Sequence, residues 1–266
     1  MNKNSLQFAR AVLALTVILA AYPFTASQAA PINYGDFNGT TVMYIDVTET
    51  ANTAGDTEPL FYSPNITGNL LDFDPKGFAA SAGGGSSDLT DGQLNFMLRG
   101  QPGNAITSFT FNESGDYVLF GTGTAATGIF YALSVSHVSV SEIDGVALAS
   151  PVLLSGASAS GGDNLGNGSD AGTPWGLSLT YDVNAALNAA GVLYNAGATR
   201  LDIVLDNNLG AISETSTIAS IAKKDFRINV GTEVFVPEVP IPGALVLMLS
   251  GLAGLIAVGR RRTLTA

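Results

Sequence analysis

The sequence contains no cysteine and a single histidine, His137, among its 266 residues. Without cysteine there are no disulfides and no thiolate nucleophile, and too few nitrogen and sulfur ligands remain for an ordinary zinc site. A Ser-His-Asp site would depend on His137, which lies in an alternating Ser/Val segment typical of a strand. No Gly-x-Ser-x-Gly motif supplies a nucleophile. The sequence therefore predicts no catalytic residue, no metal site and no cofactor.

Basic residues are also scarce. The chain has 11 Lys and Arg against 22 Asp and Glu, which gives a formal net charge of −11. Such a surface repels the phosphates of nucleic acids and the headgroups of anionic lipids. We therefore predict no nucleic-acid partner.

Long apolar segments are confined to the two ends of the chain. At the amino end, Lys3 and Arg10 flank an apolar stretch over residues 11–21, and Pro23 interrupts it. A small-x-small pattern then ends at Ala29 and Ala30. This order is typical of a secretory signal peptide, so residues 1–30 are predicted to form a signal helix recognised by the secretion translocon and cleaved after Ala29 or Ala30.

At the carboxyl end, a proline-rich spacer precedes an uncharged apolar run over residues 244–259. As a helix this run covers roughly 24 Å, against a hydrocarbon thickness of about 30 Å. Arg260, Arg261 and Arg262 follow it and favour the cytoplasmic side of a membrane. The tail is therefore predicted to be a short transmembrane helix that leaves the preceding domain outside the inner membrane.

The tail resembles the PEP-CTERM sorting signal of Gram-negative bacteria in its Val-Pro-x-Pro variant, because the literal Pro-Glu-Pro is absent. The motif residues are Val239, Pro240, Ile241, Pro242, Gly243 and Ala244. The small-residue run within the apolar segment and the arginine triplet complete the pattern over about 30 residues. The same tail type is also labelled an ice-binding protein C-terminal domain, from which we infer no antifreeze activity.

The resemblance implies an exosortase as partner, an inner-membrane intermediate, and final delivery to the cell surface or the extracellular space. The chain then divides into a signal peptide (residues 1–30), an acidic body (residues 31–235) and a sorting tail (residues 236–266). We therefore predict an exported surface or extracellular-matrix protein, and as a hypothesis of our own a body that is non-enzymatic.

The body alternates apolar and polar residues over many short segments, as expected of half-buried strands. About ten or eleven strands are predicted, in an all-β, two-sheet antiparallel sandwich or jelly roll with one short helix. The helix is expected over residues 183–190, with Asp182 as its N-cap and Gly191 at its end.

Polar and glycine-rich clusters predict the connections between strands. Turns are expected at residues 113–116, at Asp144-Gly145 and at residues 206–208. Residues 81–87 are predicted to be a flexible connection, and residues 157–172 the longest loop.

Two further functions stay open at this stage. Trp175 and nearby tyrosines could stack on sugar rings in a carbohydrate-binding module of a biofilm matrix, with polysaccharide as partner, although core packing is also consistent with Trp175. Paired carboxylates could serve a secreted glycoside hydrolase. Residues 163–170 offer oxygen ligands for calcium but do not match the EF-hand pattern.

Overall fold

The structure is a computed structural model that describes residues 30–53 and 55–235, together with Leu247, Met248 and Ser250. Between residues 30 and 235, the described part contains thirteen strands and one α-helix. The strands are β1 (Ile32–Asn38), β2 (Val42–Ala51), β3 (Asn65–Thr67), β4 (Leu70–Phe73), β5 (Ala79–Gly83), β6 (Ser87–Gly100), β7 (Asn104–Gly121), β8 (Gly128–Ile143), β9 (Val146–Leu154), β10 (Ala157–Asn164), β11 (Asp170–Asp182), β12 (Ala198–Ile212) and β13 (Thr217–Val234). Helix α1 spans Val183–Ala189, and a 3-10 turn spans Leu165–Asn167.

All strand pairings are antiparallel, which confirms the predicted all-β class. The first half of the sheet has the order β1-β2-β6-β12-β8, and β9 and β10 both pair with β8. The second half has the order β11-β7-β13-β4-β3, and β5 also pairs with β13. A single pair, Ala198 with Ile106, joins β12 to β7. The predicted two sheets are thus one continuous sheet that folds over itself and nearly closes as a barrel.

One hydrophobic core fills the space between the two halves. Its centre is aromatic: the ring of Phe61 meets those of Phe73, Phe78 and Phe226 at centroid distances of 6.0, 5.0 and 5.3 Å. The Tyr44 hydroxyl donates to the carbonyl oxygens of Asn69 and Ile228. Burying aromatic side chains supplies much of the stabilisation of such a core.

Two of the predicted turns are wrong. Residues 113–116 lie in the middle of the continuous strand β7, and residues 206–208 lie within β12. Both clusters contain a polar side chain that is buried, Glu113 and Asn207. These polar residues suggested turns, but Glu113 and Asn207 form a hydrogen bond with each other across distant strands and not with solvent.

The two predicted loops are also wrong in part. Most of residues 157–172 belongs to β10, the 3-10 turn and the start of β11. Similarly, residues 81–87 include the end of β5 and the first residue of β6. These strands are built from Ala, Ser and Gly, whose low β-propensity is overridden by pairing with β8 and β13.

The Asp144-Gly145 turn and the two ends of the helix, which were predicted from neighbouring residues, are confirmed. Asp144 and Gly145 form the β8–β9 turn with positive φ angles of 52° and 78°, as a tight hairpin requires. Asp182 caps α1 by accepting a hydrogen bond from the Ala185 amide, and Gly191 follows with a positive φ.

The predicted signal helix and almost all of the predicted tail lie outside the described residues. Leu247, Met248 and Ser250 are helical. Among the residues that the structure describes, no helix is long and apolar enough to cross a membrane.

Candidate functional site

An aromatic ring covers a glycine on the outer surface of the first half of the sheet. Phe130 of β8 pairs with Gly210 of β12, which in turn pairs with Leu89 of β6. A Cβ atom at Gly210 would stand 2.0 Å from Cε1 of the Phe130 ring, so the ring occupies the space that any other residue would fill. Phe130 remains 39% exposed and Leu89 40% exposed. We call Leu89, Phe130, Gly210 and Ile212 the Phe130 platform.

Ile212 completes this platform two residues beyond Gly210 on the same face of β12. It is 49% exposed. Beside Phe130 and Ile212 lies an open groove of about 290 Å³, whose other wall includes Asp163 and Asn164. The platform therefore combines a partly exposed aromatic ring with an adjoining polar wall.

A row of polar side chains continues from the platform along β6 and β12. Asp91 pairs with Asn208, and Gln93 pairs with Asp206. Gln93 Nε2 donates to Asp206 Oδ1 over 2.7 Å, and Asn95 Nδ2 donates to Gln93 Oε1 over 3.2 Å. These half-buried side chains form a polar row of donors and acceptors beside the apolar ring.

The polar row carries negative charge. Burial raises the pKa of Asp91 above its ordinary value, in opposition to a hydrogen bond from the Asn52 side chain, and the charges of Asp206 and Asp56 raise it further. Closely spaced carboxylates disfavour a bound anion. The arrangement suits a neutral ligand with hydroxyl donors.

Trp175 does not form part of this surface. It is only 6% exposed, its ring stacks on Tyr131 with centroids 4.5 Å apart, and its Nε1 donates to the Ala222 carbonyl oxygen over 3.2 Å. Trp175 is therefore packed in the core, and in this conformation its ring is not available to stack on a sugar.

In the segment considered for calcium, residues 163–170, the carboxylate oxygens of Asp163 already accept hydrogen bonds from protein groups. Tyr117 donates its hydroxyl to Asp163 Oδ2 over 2.6 Å and lies 3.2 Å from Asp170 Oδ2. Asp163 Oδ1 accepts from Asn167 Nδ2 and from the Asn164 amide. The Tyr117 and Asn167 hydrogen bonds lower the pKa of Asp163, as expected of a carboxylate used as an acceptor.

His137 lies half-buried in β8, opposite Val204 of β12. Within residues 30–53 and 55–235, no group of three or more His, Asp or Glu side chains is placed to hold a metal ion.

The predicted sorting residues lie outside the described part of the chain. These are Val239, Pro240, Ile241, Pro242, Gly243 and Ala244, with Arg260, Arg261 and Arg262. Of the predicted cleavage residues, Ala29 is also outside it, whereas Ala30 is described and exposed. The described body ends at Phe235, whose amide donates to the Gly103 carbonyl oxygen.

Sequence reasoning missed the Phe130 platform because its members are distant in the chain. Phe130 and Ile212 are separated by more than 80 residues and meet only through the β8–β12 register. The one local signal was Gly210 in an otherwise well-formed strand, since such a glycine often marks a close approach of another group.

Comparisons with known proteins give no family for this chain. No protein-family model matches it, and no curated protein matches it significantly. Solved structures match only loosely, and they include TmCBM61 in complex with beta-1,4-galactotriose (9% identity, 75% of this chain and 86% of that one, TM-score 0.21). The lectin UEA-II complexed with galactose matches at 7% identity over 77% of this chain and all of the lectin, with a TM-score of 0.20. Lectin I-B4 from Griffonia simplicifolia, in a metal-free form, matches at 10% identity over 76% of this chain and all of the lectin, with a TM-score of 0.18. TM-scores this low carry no argument about function.

Proposed function

We propose that the body is a non-enzymatic carbohydrate-binding domain of an exported protein, and that the Phe130 platform holds a neutral saccharide. The observation that carries this proposal is the Phe130 ring, which covers Gly210 and is still 39% exposed. The apolar face of a pyranose ring can stack on such a surface. Aromatic contact with a few placed polar groups is the usual composition of a small-ligand site.

The polar row supports the choice of ligand. Asp206, Gln93 and Asn208 offer acceptors and donors on the strands next to the Phe130 ring, for the hydroxyls of a bound sugar. The carboxylates at Asp91 and Asp206 would repel a uronic acid or a sulfated sugar. The proposed ligand is therefore a neutral polysaccharide, such as one exposed in an extracellular matrix.

The position of the platform suits delivery by the predicted tail. Strand β12 runs from Ala198, beside the end of β13, to Ile212 at the platform. The chain continues toward the tail from the end of β13, at Val234 and Phe235. A body held at that end would present the Phe130 platform at its far end.

Binding is tested with the full chain against a panel of neutral and acidic polysaccharides, by affinity electrophoresis and calorimetry. We expect a neutral member to bind and Phe130→Ala to weaken that binding by about tenfold, the factor that corresponds to about 1.4 kcal/mol of lost stacking. The matched control is Phe120→Ala, since Phe120 is 62% exposed on β7 and outside the platform. No binding to any neutral polysaccharide, or equal loss in both variants, contradicts the proposal.

We also propose the sorting route implied by the tail: export by the translocon, a transient inner-membrane intermediate, and processing by an exosortase to a surface or extracellular form. The test is the intact mass and cell fraction of the protein in its native host, beside a variant with Arg260, Arg261 and Arg262 changed to Ala. A species that lacks residues 1–29 and the tail, outside the inner membrane, supports sorting. A full-length tail that stays in the inner membrane contradicts it.

A further inference from the structure

Three polar side chains meet in the centre of the core, each from a different strand. Glu113 lies on β7, Lys223 on the neighbouring β13, and Asn207 on β12 in the opposite half of the sheet. The side chains of Glu113 and Lys223 are 0% exposed, and Asn207 is also 0% exposed. Residues of these types are rarely buried without a partner or a role.

A single oxygen atom joins the three residues. Lys223 Nζ lies 2.7 Å from Glu113 Oε2, and Asn207 Nδ2 donates a hydrogen bond to that same Oε2. The amine of Lys223 and the carboxamide of Asn207 are thus brought together on one carboxylate. This is the placement that a proton carrier between an amine and an amide requires.

A β-bulge directs Lys223 into the core. The β7–β13 register shifts between Lys223 and Asp225, so Lys223 and Phe226 both point inward although they are three positions apart. The exposed residue of the bulge is Lys224, whose amine pairs with Asp116 at the surface. The chain therefore places one lysine of an adjacent pair in solvent and the other in the core.

The surroundings are aromatic and dry. The Lys223 amine lies 4.1 Å from the ring centroid of Phe78 and 5.3 Å from those of Phe61 and Phe226. Burial lowers the pKa of Lys223 to about 8, in opposition to the attraction of Glu113. A fraction of the amine is therefore neutral near pH 7, and a neutral amine is the nucleophilic form.

The non-covalent arrangement leaves polar atoms without partners. Within the described part of the chain, Glu113 Oε1 and Asn207 Oδ1 accept no hydrogen bond, and Lys223 Nζ contacts Glu113 outside hydrogen-bond geometry. Buried groups of this kind are costly, and an ion pair in a dry core adds a desolvation penalty. A reaction that removes both charges would relieve that cost.

From this geometry we propose that Lys223 and Asn207 form an intramolecular isopeptide bond, with Glu113 as the catalytic acid–base. Glu113 first takes one proton from the Lys223 ammonium, and the neutral Nζ attacks Cγ of Asn207. A second proton passes from Nζ through the Glu113 carboxyl to Nδ2. The Cγ–Nδ2 bond then breaks and ammonia leaves.

The reaction balances without any cofactor or oxidant. An amine and a carboxamide become one secondary amide and one ammonia, and the proton first taken from the ammonium stays on Glu113. The product has no charge on the lysine or on the carboxyl, so the buried ion pair disappears. The new bond links β12 to β13 across the core and covalently ties the two halves of the sheet.

The test is peptide mass spectrometry of the full chain, which does not depend on how its two ends are processed. Trypsin should fail to cleave after Lys223 and should release residues 201–224 as one peptide lighter by one ammonia. A protease that cuts after glutamate cleaves this peptide at Glu214, the only acidic residue between Asn207 and Lys223. The two resulting pieces should stay joined.

Variants separate the isopeptide bond from a plain ion pair. Lys223→Met, Asn207→Ala and Glu113→Gln should each abolish both the ammonia loss and the joined fragments. Lys224→Met, at the exposed neighbour, should retain both. If the wild-type protein is cleaved after Lys223, or its fragments separate after cleavage at Glu214, the three residues form only a structural ion pair and the proposal is overturned. The wild-type result decides this even if a core variant fails to fold.

Discussion

Gly115 and Ala222 approach each other so closely that a Cβ atom at residue 115 would stand 1.9 Å from the carbonyl oxygen of Ala222. The same Cβ would lie 2.9 Å from Nε1 of Trp175, which donates to that carbonyl. This contact fixes β7 against β13 directly beside Lys223, which pairs with Gly115.

Gly115→Ala should therefore destabilise the body strongly. The nearest obstructing atom, the carbonyl oxygen of Ala222, belongs to the backbone and cannot rotate away, so we expect a loss of about 3 kcal/mol in the free energy of unfolding, at the upper end of overpacking effects. The matched control is Gly176→Ala, where the nearest atom to a new Cβ is 3.6 Å away. Urea unfolding of both variants measures the difference, and similar midpoints would contradict the close approach.

Phe61→Ala should also be costly. Phe61 is 0% exposed and contacts three other phenylalanine rings. Removing a buried aromatic ring costs about 3–5 kcal/mol, partly through the cavity left behind. Phe120→Ala removes a ring that is 62% exposed and should change stability by less than about 0.5 kcal/mol. Thermal unfolding would contradict this assignment of the core if Phe120→Ala proved the more destabilising change.

The Asp144 carboxylate should make stability sensitive to acid. Burial acts to raise its pKa, but the amides of Asn195, Gly197 and Ala196 donate to it and hold the pKa below 3.8. A depressed folded-state pKa stabilises the fold above the unfolded value of 3.8, and the contribution is lost as pH falls through the folded value.

Asp144→Asn tests this effect, because asparagine tolerates the φ of 52° at this turn. We expect a loss of about 1 kcal/mol at pH 7, modest because the side chain is partly exposed. The difference from the wild type should shrink as pH falls below 3.8. Urea midpoints measured between pH 7 and acid conditions report it, and a constant difference would rule out the charged acceptor.

Asp182→Ala should destabilise helix α1. The Asp182 side chain accepts from the Ala185 amide over 2.8 Å, and loss of such a cap costs about 1 kcal/mol. Asp182→Asn keeps an acceptor at the same place and should stay within about 0.5 kcal/mol of the wild type. Chemical denaturation distinguishes the two, and equal losses would show that the cap is not the cause.

Structural features with a local cause could be predicted from the sequence, whereas those that depend on distant residues could not. The Asp182 cap was predictable because its hydrogen bond is made to an amide only three residues along the chain. The Asp144-Gly145 turn was predictable because these two residue types favour the positive φ angles of a tight hairpin. Alternation of apolar and polar residues likewise predicted most strands and the all-β class. The continuity of the sheet was not predictable, because it depends on the single Ala198–Ile106 pair.

The failed predictions coincide with the most unusual chemistry of the molecule. Glu113 and Asn207 suggested turns because strand interiors rarely contain such residues. Each lies instead on the core face of a long strand, where Glu113 accepts from Asn207 and pairs with Lys223 of a third strand. Conflict between local preference and global fold is expected at sites with a special role. Likewise, the Phe130 platform depends on register, which no local pattern specifies.

The long pairing of β13 with β7, which extends from Thr217 to Val234 with two register shifts, also has a mechanical meaning. The chain leaves the body at the end of β13, so a pull applied through residue 235 acts along the axis of that strand. Antiparallel hydrogen bonds lie perpendicular to the strands, and such a force loads them together in shear instead of opening them one after another. A body with this geometry resists extraction by its carboxyl end far better than its thermodynamic stability alone would indicate.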